Sequence, residues 1–159
     1  MRARRPSSLH RIAPFVAAAA LACADGERPS YTRIEGRAPD LVPSSGATVV
    51  VFWATWCPPC RDELPGLRAL ARDPPPPIRL VTFGQDEDEG AVRAFFGGAP
   101  PEELGYRQDA GSRAATALGV DVLPAAFLVV EGRLVARFSG PRDWNSRGMR
   151  RLLAKLAGE

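Results

Sequence analysis

The run ATVVVFWA at 47–54 is apolar and β-branched without interruption. Apolar side chains on both faces predict a strand buried in the middle of a parallel or mixed sheet. Residues 59–72 switch to a helical period, with Leu64, Leu67, Leu70 and Ala71 on one face. Pro65 lies inside that helix and predicts a kink, because it supplies no backbone donor. DPPPPI at 73–78 ends the helix and reads as a rigid connector into a second strand, IRLVTFG at 78–84. DEDEGAVRAFF opens a second helix with four acids gathered in its first turn, where the positive helix end favours them.

GGAPPEELGYRQD reads as a loop with a short strand, and GSRAATALGV as a short helix. AAFLVV and RLVARFSG, separated by Glu131 and Gly132, form a hairpin with glycine at the second turn position. NSRGMRRLLAKLAG closes the chain as an amphipathic helix, with Ser146 as its cap and basic residues toward its C-terminal end. One further short strand is expected near Tyr31–Ile34. The order β α β α β α β β α argues an α/β fold: a central mixed sheet flanked by helices, part parallel with an antiparallel edge. No internal repeat is present.

At 159 residues the chain fits one domain with a sizeable core. The net charge of +3 changes meaning once it is located. Residues 1–22 hold Arg2, Arg4, Arg5 and Arg11 and no acid, leaving 17 basic against 18 acidic residues in the rest. A domain so close to neutral has no general attraction for phosphate backbones, so no nucleic-acid partner is expected. The leader itself, a basic MRARRPSSLHR followed by IAPFVAAAALA, has the pattern of a secretory signal peptide. It is too short for a membrane span, which needs about 20 apolar residues. Expected boundaries are therefore a signal peptide at 1–22, a polar tether at 23–37 and one domain at 38–158. Cleavage after Ala22 would place Cys23 first, as in AALAC, which resembles a bacterial lipoprotein processing site. Cys23 is thus the lipidation candidate, with a plain signal cut as the alternative.

The remaining thiols, Cys57 and Cys60, stand in WCPPC where the buried strand passes into a helix. A thiol at a helix N-terminus faces unpaired N–H groups and the positive end of the dipole, which favour thiolate. Two intervening residues allow a disulfide without backbone movement. Pro59 fits the first helical turn, where a missing donor costs nothing. The pattern therefore makes a reversible two-electron switch. Zinc is disfavoured because Cys23 is the one other thiol and His10, in the leader, the one histidine. The acids at 86–89 lack the ligand and glycine spacing of a calcium loop. A purely structural disulfide and a Cu(I)-binding dithiol are the competing readings.

VVVFWATWCPPCRDELP resembles the active-site region of thioredoxin-fold thiol–disulfide oxidoreductases of the TlpA/ResA/CcmG type. APDL at 38–41, GVDVLPAAFLV at 119–129, EGRLVARFSG at 131–140 and PRDW at 141–144 follow in the expected order. The resemblance covers about residues 36–157 and implies a thioredoxin fold with an inserted αβ segment. It implies that Cys57 attacks and Cys60 resolves, with no cofactor or metal beyond this pair. Trp56, Pro58, Pro59, Leu123 and a cis Pro124 would contact substrate. Glu63 matches the acidic residue that tunes the pair, against the plain alternative of a surface carboxylate, and Trp53 reads as core. Three departures stand out. The segment after APDL is too short for the family's β-hairpin. Val51 replaces the buried aspartate or asparagine of relatives, removing a proton relay there. Leu123, Ala125 and Ala126 make the groove more apolar.

The implied function is an exported, monomeric oxidoreductase that reduces protein disulfides and is itself reduced by a membrane thiol donor. Clients of such relatives include apocytochrome c cysteines and oxidase copper sites. The alternatives are an oxidase that introduces disulfides and a Cu(I) assembly protein using the same dithiol.

Overall fold

A computed structural model describes residues 29–75 and 78–158. The leader, Cys23, most of the tether and the last two prolines of the proline run lie outside the described residues. The central strand is the one the apolar run predicts. β2 (Ala47–Trp53) is buried at every position. It pairs in parallel with β3 (Ile78–Gly84), from Ala47 opposite Ile78 to Trp53 opposite Gly84. On its other side it runs antiparallel to β5 (Ala125–Val130). β4 (Tyr106–Gln108) extends the parallel half, while β6 (Arg133–Ser139) and then β1 (Thr32–Arg33) extend the antiparallel half. The sheet order is β1-β6-β5-β2-β3-β4. The described residues between Ala38 and Gly46 form turns and bends, with no hairpin there.

Alternation along β2 divides the core. Val49, Val51 and Trp53 face α1 (Pro58–Arg72) and α4 (Arg147–Ala157), packing with Leu64, Leu67, Met149 and Leu153. Val50 and Phe52 face the opposite layer, with Phe83, Phe127 and the short helix α3 (Arg113–Ala117). Phe52 stacks on Phe83 at 5.3 Å and meets Phe127 edge-on at 6.0 Å.

Pro65 lies inside α1, which runs through it as one element. A single absent donor is outweighed where Leu64, Leu67 and Leu70 bury the same face on both sides of the proline. The four acids do not share one helical turn. α2 spans Glu89–Phe96, and Asp88 is its cap, its carboxylate accepting from the Ala91 N–H at 3.1 Å. Asp86 precedes the helix and is buried. The β5–β6 hairpin turns through Glu131 at φ 48° and Gly132 at φ 73°, the left-handed pair that matches strand twist in a two-residue turn. Glu131 is held there because its carboxylate accepts from the Gly46 N–H and its own N–H donates to the Gly46 carbonyl, both at 2.9 Å.

α3 has five residues, too few to form on propensity alone. The buried Asp109 carboxylate holds it, accepting from the N–H groups of Ala114 and Ala115 and from Gln85 Nε2, each at 2.9 Å. Removing three bonds to one buried carboxylate should cost about 2 kcal/mol or more. Asp109→Ala is therefore expected to lower the unfolding free energy measured in urea by that amount, with Asp109→Asn losing less. A change below about 0.5 kcal/mol for the alanine variant would contradict this account of α3.

Candidate active site

β2 ends at Trp53, and the chain turns through residues 54–56 into α1. Cys57 is the N-cap of α1, in extended backbone geometry at φ −97° and ψ 103°. Pro58 and Pro59 fill the first two helical positions, so neither supplies a donor. The first donor of the helix is then the Cys60 N–H, which points at Cys57 Sγ at 3.3 Å. The helix start, with its positive end, is thereby aimed at one sulfur. Cys57 and Cys60 are joined as a disulfide with Cα atoms 5.3 Å apart. Cys60 is fully buried, whereas Cys57 keeps 5 % of its surface open, so an incoming sulfur reaches Cys57.

The turn before Cys57 is fixed from the loop that follows β3. The Asp86 carboxylate accepts from the Thr55 N–H through both oxygens, at 3.1 and 3.2 Å, and from Thr55 Oγ1 at 2.5 Å. Gln108 Nε2 donates to the Asp86 carbonyl at 2.5 Å. A groove of about 540 Å³ opens over Cys57. Trp56, Cys57, Pro58, Pro59 and Leu123 line it, together with Gln85, Ser112, Val120 and Val122. Trp56 is 65 % exposed and Val122 50 %, so two large apolar side chains stand open to solvent. The Leu123–Pro124 bond is cis. Pro124 itself is buried beside the groove, its carbonyl accepting from the Gly140 N–H at 2.9 Å.

Glu63 is not part of that groove, nor is it a surface carboxylate. It lies one helical turn beyond Cys60, buried under the β6–α4 loop. Its Oε2 accepts from the Arg142 N–H and from Trp144 Nε1, both at 3.0 Å, while Oε1 has no partner among the described residues. Burial pushes the Glu63 carboxyl up to about 7, against the lowering effect of these two donors and of the Arg142 charge. A shallow cleft lined by Asp62, Gly66, Pro141 and Arg142 leads to it. Val51 and Trp53 are wholly buried in the core that also holds both cysteines, so no polar side chain occupies position 51. Asp86, Thr55, Arg142 and Trp144 went unassigned by sequence reasoning. Arg142 and Trp144 carry a signal, as members of the PRDW match, and Asp86 stands among the acids at 86–89.

A family profile described as "Thioredoxin-like" matches residues 46–133. The chain belongs to this thioredoxin-like family. It is 34% identical over 126 residues to a "Thiol:disulfide interchange protein DsbE homolog" from Paracoccus denitrificans, covering 76% of this chain and 67% of that one. It is 30% identical over 122 residues to "Thiol-disulfide oxidoreductase ResA" from Bacillus thuringiensis, covering 72% and 68%. A third relative, "Thiol:disulfide interchange protein CycY" from Rhizobium leguminosarum, is 36% identical over 97 residues, and the chain spans 50% of its length. Among solved structures, a DsbE from Chlorobium tepidum superposes with a TM-score of 0.62 at 22% identity, over 72% of this chain and 82% of that one. These similarities make the protein a thiol–disulfide oxidoreductase of the DsbE/ResA type.

The Glu63 titration has a direct consequence for this oxidoreductase. Its folded value of about 7 lies above the ordinary 4.5. Between those values the unfolded chain releases the proton first, so stability falls as pH rises from 4.5 to 7 and the loss persists above it. The full loss is about 3 kcal/mol. Glu63→Gln, which keeps an acceptor for Trp144 and Arg142, is expected to be more stable than the parent above pH 7. It should also flatten the pH profile of urea unfolding. A variant less stable than the parent at pH 8 would contradict the buried, costly carboxylate.

Proposed function

We propose that the protein is an exported reductase of protein disulfides, held at the membrane by its N-terminal segment. The observation that carries the chemistry is the Cys57–Cys60 pair at the start of α1, with one sulfur reachable and the other sealed. The leader pattern supports export. In the reduced protein the Cys57 thiolate attacks a client disulfide, forming a mixed disulfide and releasing one client thiolate, which takes up a proton. Cys60 then loses its proton and attacks Cys57, releasing the second client thiolate. The client gains two electrons and two protons, and the protein is left with its disulfide. A membrane thiol donor returns it to the dithiol by the same exchange in reverse.

Cys60 is buried in the disulfide form, so the proton it gives up in the resolving step calls for an acceptor within the fold. Glu63, one turn along α1 with a value of about 7, is suited to take that proton near neutral pH. Trp56, Pro58, Pro59, Leu123 and Pro124 would shape the site where client backbone lies. The family resemblance points to cytochrome c maturation or oxidase copper-site assembly as the setting.

Cys57→Ser is expected to abolish insulin-disulfide reduction and complementation of an oxidoreductase-null strain. Cys60→Ser should instead accumulate a mixed disulfide with client that dithiothreitol releases. Retention of insulin reduction by Cys57→Ser would overturn the assignment.

A further inference from the structure

The exposed side of α4 has a charge pattern that neither the fold nor the redox site uses. Arg147, Arg151 and Lys155 recur every four residues, and all three are exposed. The helix also carries Arg150, which is tied to Asp73 at 3.1 Å, and it contains no acid. Arg147 sits in the first turn, where the helix dipole opposes a cation and no acidic residue compensates. Arg147 and Lys155 have no ion pair among the described residues. From Cys23 onward the chain has 17 basic and 18 acidic residues, so without the four on α4 the remainder is 13 against 18. The net charge gives no overall attraction to an anionic surface. The segregation of charge selects one face for it.

The chain enters the domain beside this same helix. Thr32 pairs with Arg137, which brings the preceding residues to the Ser139 end of β6. Pro29 and Ser30 share a depression with Pro141, Ser146 and Met149, at the N-terminal end of α4. Between a processed Cys23 and Pro29, residues 23–28 span about 20 Å at most. A domain held on so short a lead keeps the start of α4 close to the bilayer.

We propose that the Arg147–Arg151–Lys155 face of α4 rests on a bilayer of anionic phospholipid. This surface goes beyond the disulfide chemistry and rests on the tethered reading for its geometry. Each cation within reach of such a surface contributes about fivefold to binding. Docking along α4 places the Cys57 end of the sheet, where the tether also emerges, beside the membrane rather than facing away from it.

Lys155 is the one lysine of the chain, which makes amine labelling a single-site reporter of this face. The full chain would be incorporated into phosphatidylcholine vesicles with and without phosphatidylglycerol, and the Lys155 peptide followed by mass spectrometry. Expected is labelling several-fold slower on the anionic vesicles alone, restored by salt and by the double variant Arg147→Glu, Arg151→Glu. Equal labelling on both vesicle types overturns the proposal. So does protection that appears only with added polyglutamate, which would assign the face to an acidic protein. Flotation with anionic vesicles alone, with Lys155 protected, upholds the face and removes the anchor. Flotation with neither overturns both. Insulin reduction by the same samples should be unchanged in the double variant. Its absence in the parent would count against the reductase reading while leaving the Lys155 result intact.

Discussion

The direction of one N–H group organises this protein. The Cys60 N–H is the first donor of α1 because Pro58 and Pro59 supply none, and it is aimed at Cys57 Sγ. For that aim to hold, the end of β2 must be rigid and α1 must start at one residue. β2 is rigid because it lies between β3 and β5 with all seven residues buried. The start of α1 is fixed by the proline pair and by Asp86, which holds Thr55 two residues before Cys57. The aromatic packing of Phe52 with Phe83 and Phe127 serves the same end from below.

The second constraint is the buried carboxyl. An ionised Glu63 in this place would be expensive, and the fold meets that cost only in part, with Arg142 and Trp144 on one oxygen. Trp144 packs edge-on against Phe138 at 5.6 Å, and Phe138 meets Tyr31 at 6.1 Å. The start of the described domain, the β6–α4 loop and the Glu63 carboxyl thus form one continuous contact path. The segment with which the described chain begins therefore also touches the packing that sets the environment of Glu63.

Much of this was legible in the sequence because it rests on local pattern. The central strand, the hairpin at Glu131–Gly132, the Ser146 cap and the WCPPC helix start depend on residues close together in the chain. What escaped depends on distant partners. Asp86 read as one of four acids at a helix start, yet its partner is Thr55, 31 residues earlier. Glu63 could be a surface carboxylate or a buried one until Arg142 and Trp144, 79 and 81 residues away, were seen to cover it.

The central claim is that the Cys57–Cys60 pair runs as a reductant. Its reduction potential tests that most directly, measured in a dithiothreitol or glutathione series and followed by tryptophan fluorescence, since Trp56 adjoins Cys57. A potential of about −250 mV or lower is the expected result. A value near −120 mV would mean that the pair introduces disulfides, and the account of it as a reductase would be contradicted.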